Sequence, residues 1–345
     1  MGVSTRTAEI KRVRWIKKQG VGRRRMTEIL PKEEKTLKVN ILMSTYNGEK
    51  FVAEQIDSIQ KQTFSDWQLL VRDDGSQDKT CQIVEKLAQS DKRIRLIKAE
   101  NVGVIQSFYE LVKTEKADFY FFCDQDDFWL PSKLEILLDE ASKHNNDKPI
   151  MYYSDLKIVD KHLTVLSDSM IKMQSDHANT QLVQELTENT VTGCTMLINH
   201  ALAEKWTDTN HVIMHDWYLA LIATALGKLV YVNQPTVLYR QHDDNVLGAR
   251  TLSKRMKNWF GHWFKKYWWL IESSQIQAKK LLDFPELTVE KRQLIIAYVN
   301  ILNQSASQRR ATLNKYQLRK NKNFHTRIFR TLVITKFAHK NKDIL

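Results

Sequence analysis

Three short blocks in this chain carry residue types that can handle charge. Asp124-Gln125-Asp126-Asp127 follows the apolar run Phe119-Tyr120-Phe121-Phe122-Cys123, Asp73-Asp74-Gly75-Ser76 follows another apolar run, and His215-Asp216-Trp217 opens a long apolar stretch. Carboxylates at i and i+2 on a strand end project the same way and can share a hard divalent cation. Mg²⁺ or Mn²⁺ held like this would bridge a diphosphate and neutralise charge on a departing nucleotide. A carboxylate in the second block could accept the N3–H of a pyrimidine base, with Gly75 permitting close backbone approach. Asp216, fixed at a helix start, could deprotonate a hydroxyl. Each block also has a plainer reading: a solvated acidic turn, an Asp-Gly turn with a helix cap, and an N-cap. His211 and His215 have the i, i+4 spacing of two metal ligands on one helix face. Without HExxH or a third ligand beside them, chance spacing is the better reading.

What favours chemistry is where the elements put these blocks. The pattern predicts strands over 39–44, 67–71, 94–97 and 117–123, alternating with helices over 49–60, 79–89, 104–113 and 132–143. Pro131 stands at the start of the last of these, and Asp78 is placed to cap the second. Such alternation predicts an α/β fold with a largely parallel sheet, in which ligands bind at the carboxyl ends of the strands. Both acidic clusters fall there. Beyond residue 150 the expectation is a strand at 151–155, a loop over 167–180, a β-rich run at 190–199, a helix at 215–227, and strands at 229–232 and 236–240. The stretch 217–232 is interrupted by Lys228 and is too short to span a bilayer, so it reads as a buried helix leading into a strand.

The 345 residues carry a formal net charge of +13. That surplus raises a nucleic-acid reading, but it is unevenly placed. Residues 1–38 carry +8, residues 250–345 carry +16, and the centre, 39–249, carries −11. An acidic centre repels bare phosphate unless a metal ion sits in it, so any attraction to anionic partners belongs to the flanks. A nucleotidyltransferase would need a basic phosphate-gripping loop near the first strand, where only Lys50 is available. Three widely spaced cysteines exclude a disulfide scaffold and a Cys-type zinc site, and fit a reducing compartment. No apolar segment follows the basic N-terminus, so no signal peptide is expected. The expected organisation is a basic arm (1–37), a catalytic domain (38–249) and a helical, basic C-terminal region (250–345).

Six ordered blocks then resemble a family: Ser44-Thr45-Tyr46-Asn47-Gly48-Glu49-Lys50-Phe51, the two acidic clusters, Val191-Thr192-Gly193-Cys194-Thr195-Met196, His215-Asp216-Trp217 and Tyr239-Arg240-Gln241-His242. Over 39–249 the chain resembles family 2 glycosyltransferases of the GT-A fold, a Rossmann-like, mainly parallel sheet flanked by helices. The Asp-Gln-Asp-Asp-Phe-Trp block, with His-Asp-Trp and Tyr-Arg-Gln-His, is similar to bacterial rhamnosyltransferases of polysaccharide assembly. The resemblance implies that Thr45, Tyr46 and Glu49 line the nucleotide pocket with Asp73, and that Asp74 supports that loop. It makes Asp124 and Asp126 the metal pair, completed by His242 and assisted by Arg240. It makes Asp216 the general base, and it places Gly193, Cys194 and Trp217 on the acceptor side, with Trp129 and Trp217 available to stack on sugar faces. Asp243-Asp244 departs from the small residues expected after Tyr-Arg-Gln-His. The implied reaction is a single inverting displacement needing Mn²⁺ or Mg²⁺. Its donor would be dTDP-β-L-rhamnose, or a UDP-hexose or UDP-N-acetylhexosamine, and its acceptor a lipid-linked glycan.

The C-terminal region carries a second pattern. On a helical wheel, Met256, Trp259, Phe260, Trp263, Phe264, Tyr267, Leu270 and Ile271 share one broad face, with Arg255, His262, Lys265 and Lys266 largely opposite. Aromatic residues flanked by cations suit an interfacial helix on an anionic leaflet, which would place the protein peripherally on the inner face of the cell membrane. Packing against the catalytic domain or a second subunit is the alternative. Helices at about 288–304 and 325–339 are expected to extend the same surface or form a dimer contact.

Overall fold

The computed structural model describes residues 37–241 and 259–339. The arm at 1–36, His242, the Asp243-Asp244 departure and Met256 lie outside the described residues, as do the side chains of Trp259, Phe260 and Trp263.

Apolar runs of five to seven residues form the first strands: β1 (Val39–Thr45), β2 (Gln68–Asp73), β3 (Ile94–Lys98) and β4 (Phe119–Cys123). The helices between them are α1 (Val52–Gln60), α2 (Thr80–Ser90) and α3 (Val104–Thr114). These strands pair in parallel in the order β3-β2-β1-β4. Alternation decides which face each residue meets. Ile41, Met43, Leu69, Val71 and Phe121 pack with Ile56, Ile59 and Val84 of α1 and α2 on one side of the sheet. Leu42, Leu70, Tyr120 and Phe122 meet Phe108 and Leu111 of α3 on the other.

The second half completes the sheet. It contains β5 (Phe128–Trp129), α4 (Lys133–Ser142), β6 (Ile150–Val159), β7 (Val165–Ser167), α5 (Met170–Gln174) and α6 (Leu182–Thr187). It continues with β8 (Met196–Asn199), α7 (His200–Lys205), α8 (His215–Leu226) and β9 (Lys228–Arg240). The strand order runs on from β4 through β8, β6 and β9 to β5, with β7 beside β6. β8 is antiparallel to both β4 and β6, whereas β6 and β9 are parallel. The result is an α/β sheet, mainly parallel, flanked by helices.

Three expectations change. The segment 167–180 is not a plain loop, because buried Asp155 accepts from the backbone N–H groups of Met170 and Ile171 at 3.1 and 3.2 Å and so holds α5 in place. Strands expected at 229–232 and 236–240 form one continuous β9. A register shift against β6 at Ser154 to Leu156 absorbs the intervening residues. Within 190–199 only Met196–Asn199 is strand; Gly193–Thr195 makes a tight 3₁₀ turn.

The C-terminal helices are α9 (Trp259–Lys280), α10 (Val289–Val299), α11 (Ala306–Lys315) and α12 (Asn323–Thr335). From Phe264 onward the apolar face of α9 turns inward. Trp268 and Ile271 are buried in the same core as Trp217 and Tyr218, with Phe264, Tyr267 and Leu270 packed against it. The alternative, packing on the catalytic domain, therefore accounts for this part of the face. Several tail cations also point inward. Lys291 Nζ donates to the carbonyls of Thr224 and Ala225 at 2.9 and 2.8 Å, capping the last turn of α8. Arg292 donates to Leu282 and Phe284, Arg309 to Ile334, and Lys320 to Thr187, each through a backbone carbonyl. Cations near helix C-termini gain from the helix dipole as well as from these bonds.

Gly227 lets β9 leave α8 beside β6. A Cβ there would lie 1.8 Å from the Pro149 carbonyl oxygen, closer than any real contact, and Lys228 N–H donates to that same oxygen at 3.1 Å. Backbone must shift to admit a methyl group. Gly227→Ala is expected to lower stability by about 1–3 kcal/mol, read from the midpoint of urea unfolding; an unchanged midpoint would contradict the close approach.

Candidate active site

The register places Thr45 beside Asp73 at the carboxyl ends of β1 and β2. Thr45 Oγ1 donates to Asp73 Oδ2 at 2.9 Å, and Ser76 donates to the same carboxylate through its backbone N–H at 2.9 Å and its hydroxyl at 2.6 Å. Burial alone would raise the Asp73 carboxyl; the bonds from Ser76, with help from Cys81 and Thr45, outweigh it and hold the group below its ordinary range. Asp73 is thus a fixed anion at the strand edge. Asp74 is spent differently. It pairs with Arg72 and accepts from the N–H groups of Val102 and Gly103 at 2.9 Å each, so it ties β2 to the turn before α3. Supporting the loop is what its geometry provides.

Residues 46–49 form a loop docked on 76–80. Asn47, at a positive φ of 48°, donates from its backbone to Ser76 Oγ, and Gly48 N–H donates to Thr80 Oγ1. Glu49 accepts from Lys79 N–H at 3.0 Å, so its carboxylate also serves the start of α2. Tyr46 stands out from this loop, 49% exposed.

The acidic turn after β4 holds the densest charge. One ligand atom each from Asp124, Asp127 and Cys194 lie within 4.8 Å of one another. Asp127 is fully buried; its Oδ1 accepts from Arg240 N–H at 3.2 Å. Its Oδ2 has no hydrogen-bond partner among the described residues. Burial first, then repulsion from Asp126 and Asp124, pushes the Asp127 carboxyl well above its ordinary range. Burial, then Asp126 and Asp216, pushes Asp124 up to about 7. Asp124 gathers with Asp127, whose Oδ1 is held by β9, and Asp126, expected as the second metal ligand, lies close enough to raise both by repulsion. Burial raises the Cys194 thiol well above its usual value, leaving it a neutral, weak donor rather than a thiolate ligand. Two crowded carboxylates, one with an orphaned buried oxygen, are a donor set suited to a hard divalent cation.

A lysine already sits beside them. Lys133 is fully buried in the first turn of α4; its ammonium donates to the Cys194 carbonyl and lies 3.6 Å over the Trp129 ring. Burial lowers its pKa to about 8, although Cys194, Cys123, Asp127 and Asp124 all pull it the other way. Lys133 was not legible as a site residue from motif spacing. The available signal is helical: it falls in line with Leu137 and Ala141 on the buried face of α4, where a cation needs a reason.

Asp216 opens α8, 7% exposed. Burial raises its pKa to about 6 against hydrogen bonds from the backbone of Trp217 and Gly193 and the side chain of Asn189. It is close enough to Asp124 to raise that group by repulsion. Gly193 belongs to the same corner, for a Cβ there would stand 3.1 Å from His215 Nε2. That imidazole stacks on Phe108 at 4.7 Å, and burial lowers its pKa to about 4, so it is neutral.

Three expected contacts are not available. Trp217 is buried, its indole N–H donating to the Glu185 carbonyl at 2.8 Å, and Trp129 is fully buried beneath Lys133. Neither ring has a face for a sugar: α8 is buried all round from Asp216 to Ala225, and Trp129 in β5 is covered by Lys133. Arg240 is also turned inward. Its guanidinium donates to the carbonyls of Asp126 and Lys161 at 2.9 and 2.6 Å and pairs with Glu54, bracing the acidic turn from β9 rather than facing a phosphate.

An Asp216 that must be ionised to accept a proton gives a defined pH response. A carboxyl raised to about 6 is lost as a base when pH falls through that value. If Asp216 serves as that proton acceptor, activity is expected to drop about tenfold per pH unit below the limb, and Asp216→Asn to lose roughly 10²–10⁴-fold in kcat while staying folded. A flat profile between pH 5 and 8, or an active Asn variant, would contradict the assignment.

Residues 40–207 match the family model described as Glycosyl transferase family 2. The chain is 29% identical over 241 residues, 65% of its length, to the dTDP-rhamnosyl transferase RfbG of Shigella flexneri, of which it covers 81%. It is 38% identical over 108 residues to the UDP-Glc:alpha-D-GlcNAc-diphosphoundecaprenol beta-1,3-glucosyltransferase WfgD of Escherichia coli; that match spans 31% of this chain and 42% of WfgD. Among solved structures, S. aureus TarS 1-349 in complex with UDP-GlcNAc superposes with a TM-score of 0.54 at 17% identity, covering 81% of this chain and 80% of that one. At that identity the likeness speaks for the fold. The family match covers residues 40–207, and with the sheet and its acidic strand edges it places that region among family 2 glycosyltransferase domains on a GT-A fold.

Proposed function

We propose that the protein transfers L-rhamnose from dTDP-β-L-rhamnose to a hydroxyl of a lipid-linked, growing cell-surface polysaccharide. The observation that carries the reading is the convergence of a buried, elevated carboxylate, Asp216, with the Asp124 turn at one sheet edge. The similarity to RfbG over most of that protein favours rhamnose. A UDP-sugar donor is the second reading, favoured by the local similarity to WfgD.

In the proposed reaction Asp216 takes the proton of the acceptor hydroxyl. The hydroxyl oxygen bonds to the anomeric carbon from the face opposite the nucleotide, and the bond from that carbon to the diphosphate oxygen breaks. One displacement inverts the centre, so a β-linked donor gives an α-rhamnoside. Asp73 and the 46–49 loop hold the nucleotide, Gly193 and Cys194 wall the acceptor side, and Lys133 keeps a positive charge beside the carboxylates. Asp124 and Asp127, with Asp126 beside them, would hold a divalent cation, Mn²⁺ or Mg²⁺, with His242 as a further ligand. When bound, such a cation offsets the charge of the departing diphosphate.

The same proposal places the protein peripherally on the inner leaflet. No helix among the described residues is long and apolar enough to cross a membrane. Trp269 and Phe324 are exposed, and so are Lys265, Lys266 and Arg327 in the same helices, with Phe337 exposed in the turn after α12, a mixture that suits an anionic surface. In this reading the C-terminal helices face the leaflet, with a homodimer contact as the competing use of the tail.

The test supplies nucleotide sugars one at a time to the protein with membrane extract reconstituted in anionic or zwitterionic vesicles. Mass spectrometry is expected to show a deoxyhexose added to a lipid-linked product from dTDP-rhamnose with Mn²⁺, faster on anionic vesicles. Turnover of a UDP-sugar with dTDP-rhamnose inert would replace the donor, and equal rates on both vesicles would remove the membrane contact.

A further inference from the structure

The second residue of the acidic turn makes a contact that the roles above do not use. Gln125 Oε1 accepts from the Tyr46 backbone N–H at 3.0 Å, and Gln125 Nε2 donates to the Tyr46 carbonyl at 3.0 Å. The primary amide thus pairs with both backbone groups of one residue, as a neighbouring strand would. Only one orientation of that amide satisfies a donor and an acceptor at once, which fixes how it sits. The fit has no slack on its far side. A Cβ on Gly48 would lie 2.2 Å from Gln125 Oε1, so the absence of a side chain at 48 is what admits the amide.

Gln125 lies between Asp124 and Asp126, while Tyr46 is the exposed residue of the loop after β1. On its other flank that loop is tied by Asn47, Gly48 and Glu49 to residues 76–80. Without Gln125, among the hydrogen bonds described here, nothing else fixes the Tyr46 peptide against the acidic turn. We infer that Gln125 is a positioning residue that locks the Tyr46 peptide to the carboxylate turn, so that the nucleotide loop and the charge-bearing turn are presented to the donor as one preorganised unit. The inference rests on the glycosyltransferase reading above. Preorganisation of this kind sets ground-state affinity for the donor rather than the chemical step, because both polar atoms of the Gln125 amide are taken up by the Tyr46 backbone.

The test uses the full chain and measures dTDP and UDP binding by calorimetry with Mn²⁺ present, together with donor KM and kcat. Gln125→Met keeps the length of the side chain and removes both bonds. It is expected to weaken nucleotide binding and raise donor KM about tenfold, with kcat changed by less than about threefold. Gln125→Glu, which keeps the acceptor for Tyr46 N–H but sets an oxygen against its carbonyl, should be impaired as well and covers the case in which the Met variant does not fold. Gly48→Ala should mimic the loss by displacing the amide, and Gly48→Ala combined with Gln125→Ala should be no worse than Gln125→Ala alone, because the clash then has nothing to strike. Wild-type affinity in both Gln125 variants, or strictly additive defects in the double variant, would overturn the clamp. Binding of neither nucleotide by the wild-type protein would instead overturn the functional reading beneath it.

Discussion

The site depends on carboxylates crowded into a place where charge is poorly solvated. Asp124, Asp126 and Asp127 follow a strand that is buried along its whole length, and Asp216 arrives from the start of a helix that is buried on every side. Repulsion and burial together drive Asp124 and Asp127 upward, and burial drives Asp216 upward. Such a cluster persists in a folded protein only if cationic or hydrogen-bonding groups offset it. Lys133 and the backbone of Arg240 supply part of this. In the proposed reading a divalent cation would complete the balance and let an anionic diphosphate be received at a centre whose own charge is negative.

The rest of the fold serves that balance. Parallel pairing of β1 with β2 and β4 brings three strand ends to one edge, and β9 returns to the same place to brace the turn through Arg240. The basic surplus of the tail has a structural share as well. Lys291, Arg292, Arg309 and Lys320 cap helix ends or satisfy carbonyls inside the molecule, so a count of positive charge overstates what is left to meet a partner. The aromatic face of α9 is likewise partly spent on the core, where Trp268 and Ile271 join the packing around α8.

Much of the sheet was legible because its strands are continuous apolar runs ending in Asp, a pattern with few other solutions. The buried helix at α8 was legible for the same reason, and the same reading would have excluded Trp217 from sugar contact, since a helix apolar all round has no wet face. What could not be read was proximity across long separations. Lys133 meets Cys194 from 61 residues away, and Gln125 meets Tyr46 from 79. That Asp127 joins Asp124 depends on its bond to β9, which no local spacing encodes. The resemblance makes Arg240 an assistant at the metal or diphosphate site; in the structure it pairs with Glu54, donates to backbone carbonyls and lies over the Phe51 ring.

The most direct measurement of the central claim is proton release on cation binding. If burial and repulsion from Asp126 and Asp216 hold Asp124 up at about 7, then Mn²⁺ is expected to displace protons when it binds. Calorimetry at pH 7 in buffers of different ionisation enthalpy is expected to show on the order of one proton released per ion, with that release reduced in Asp124→Asn. Binding heats identical in every buffer, or no Mn²⁺ binding to the wild-type protein, would contradict the account.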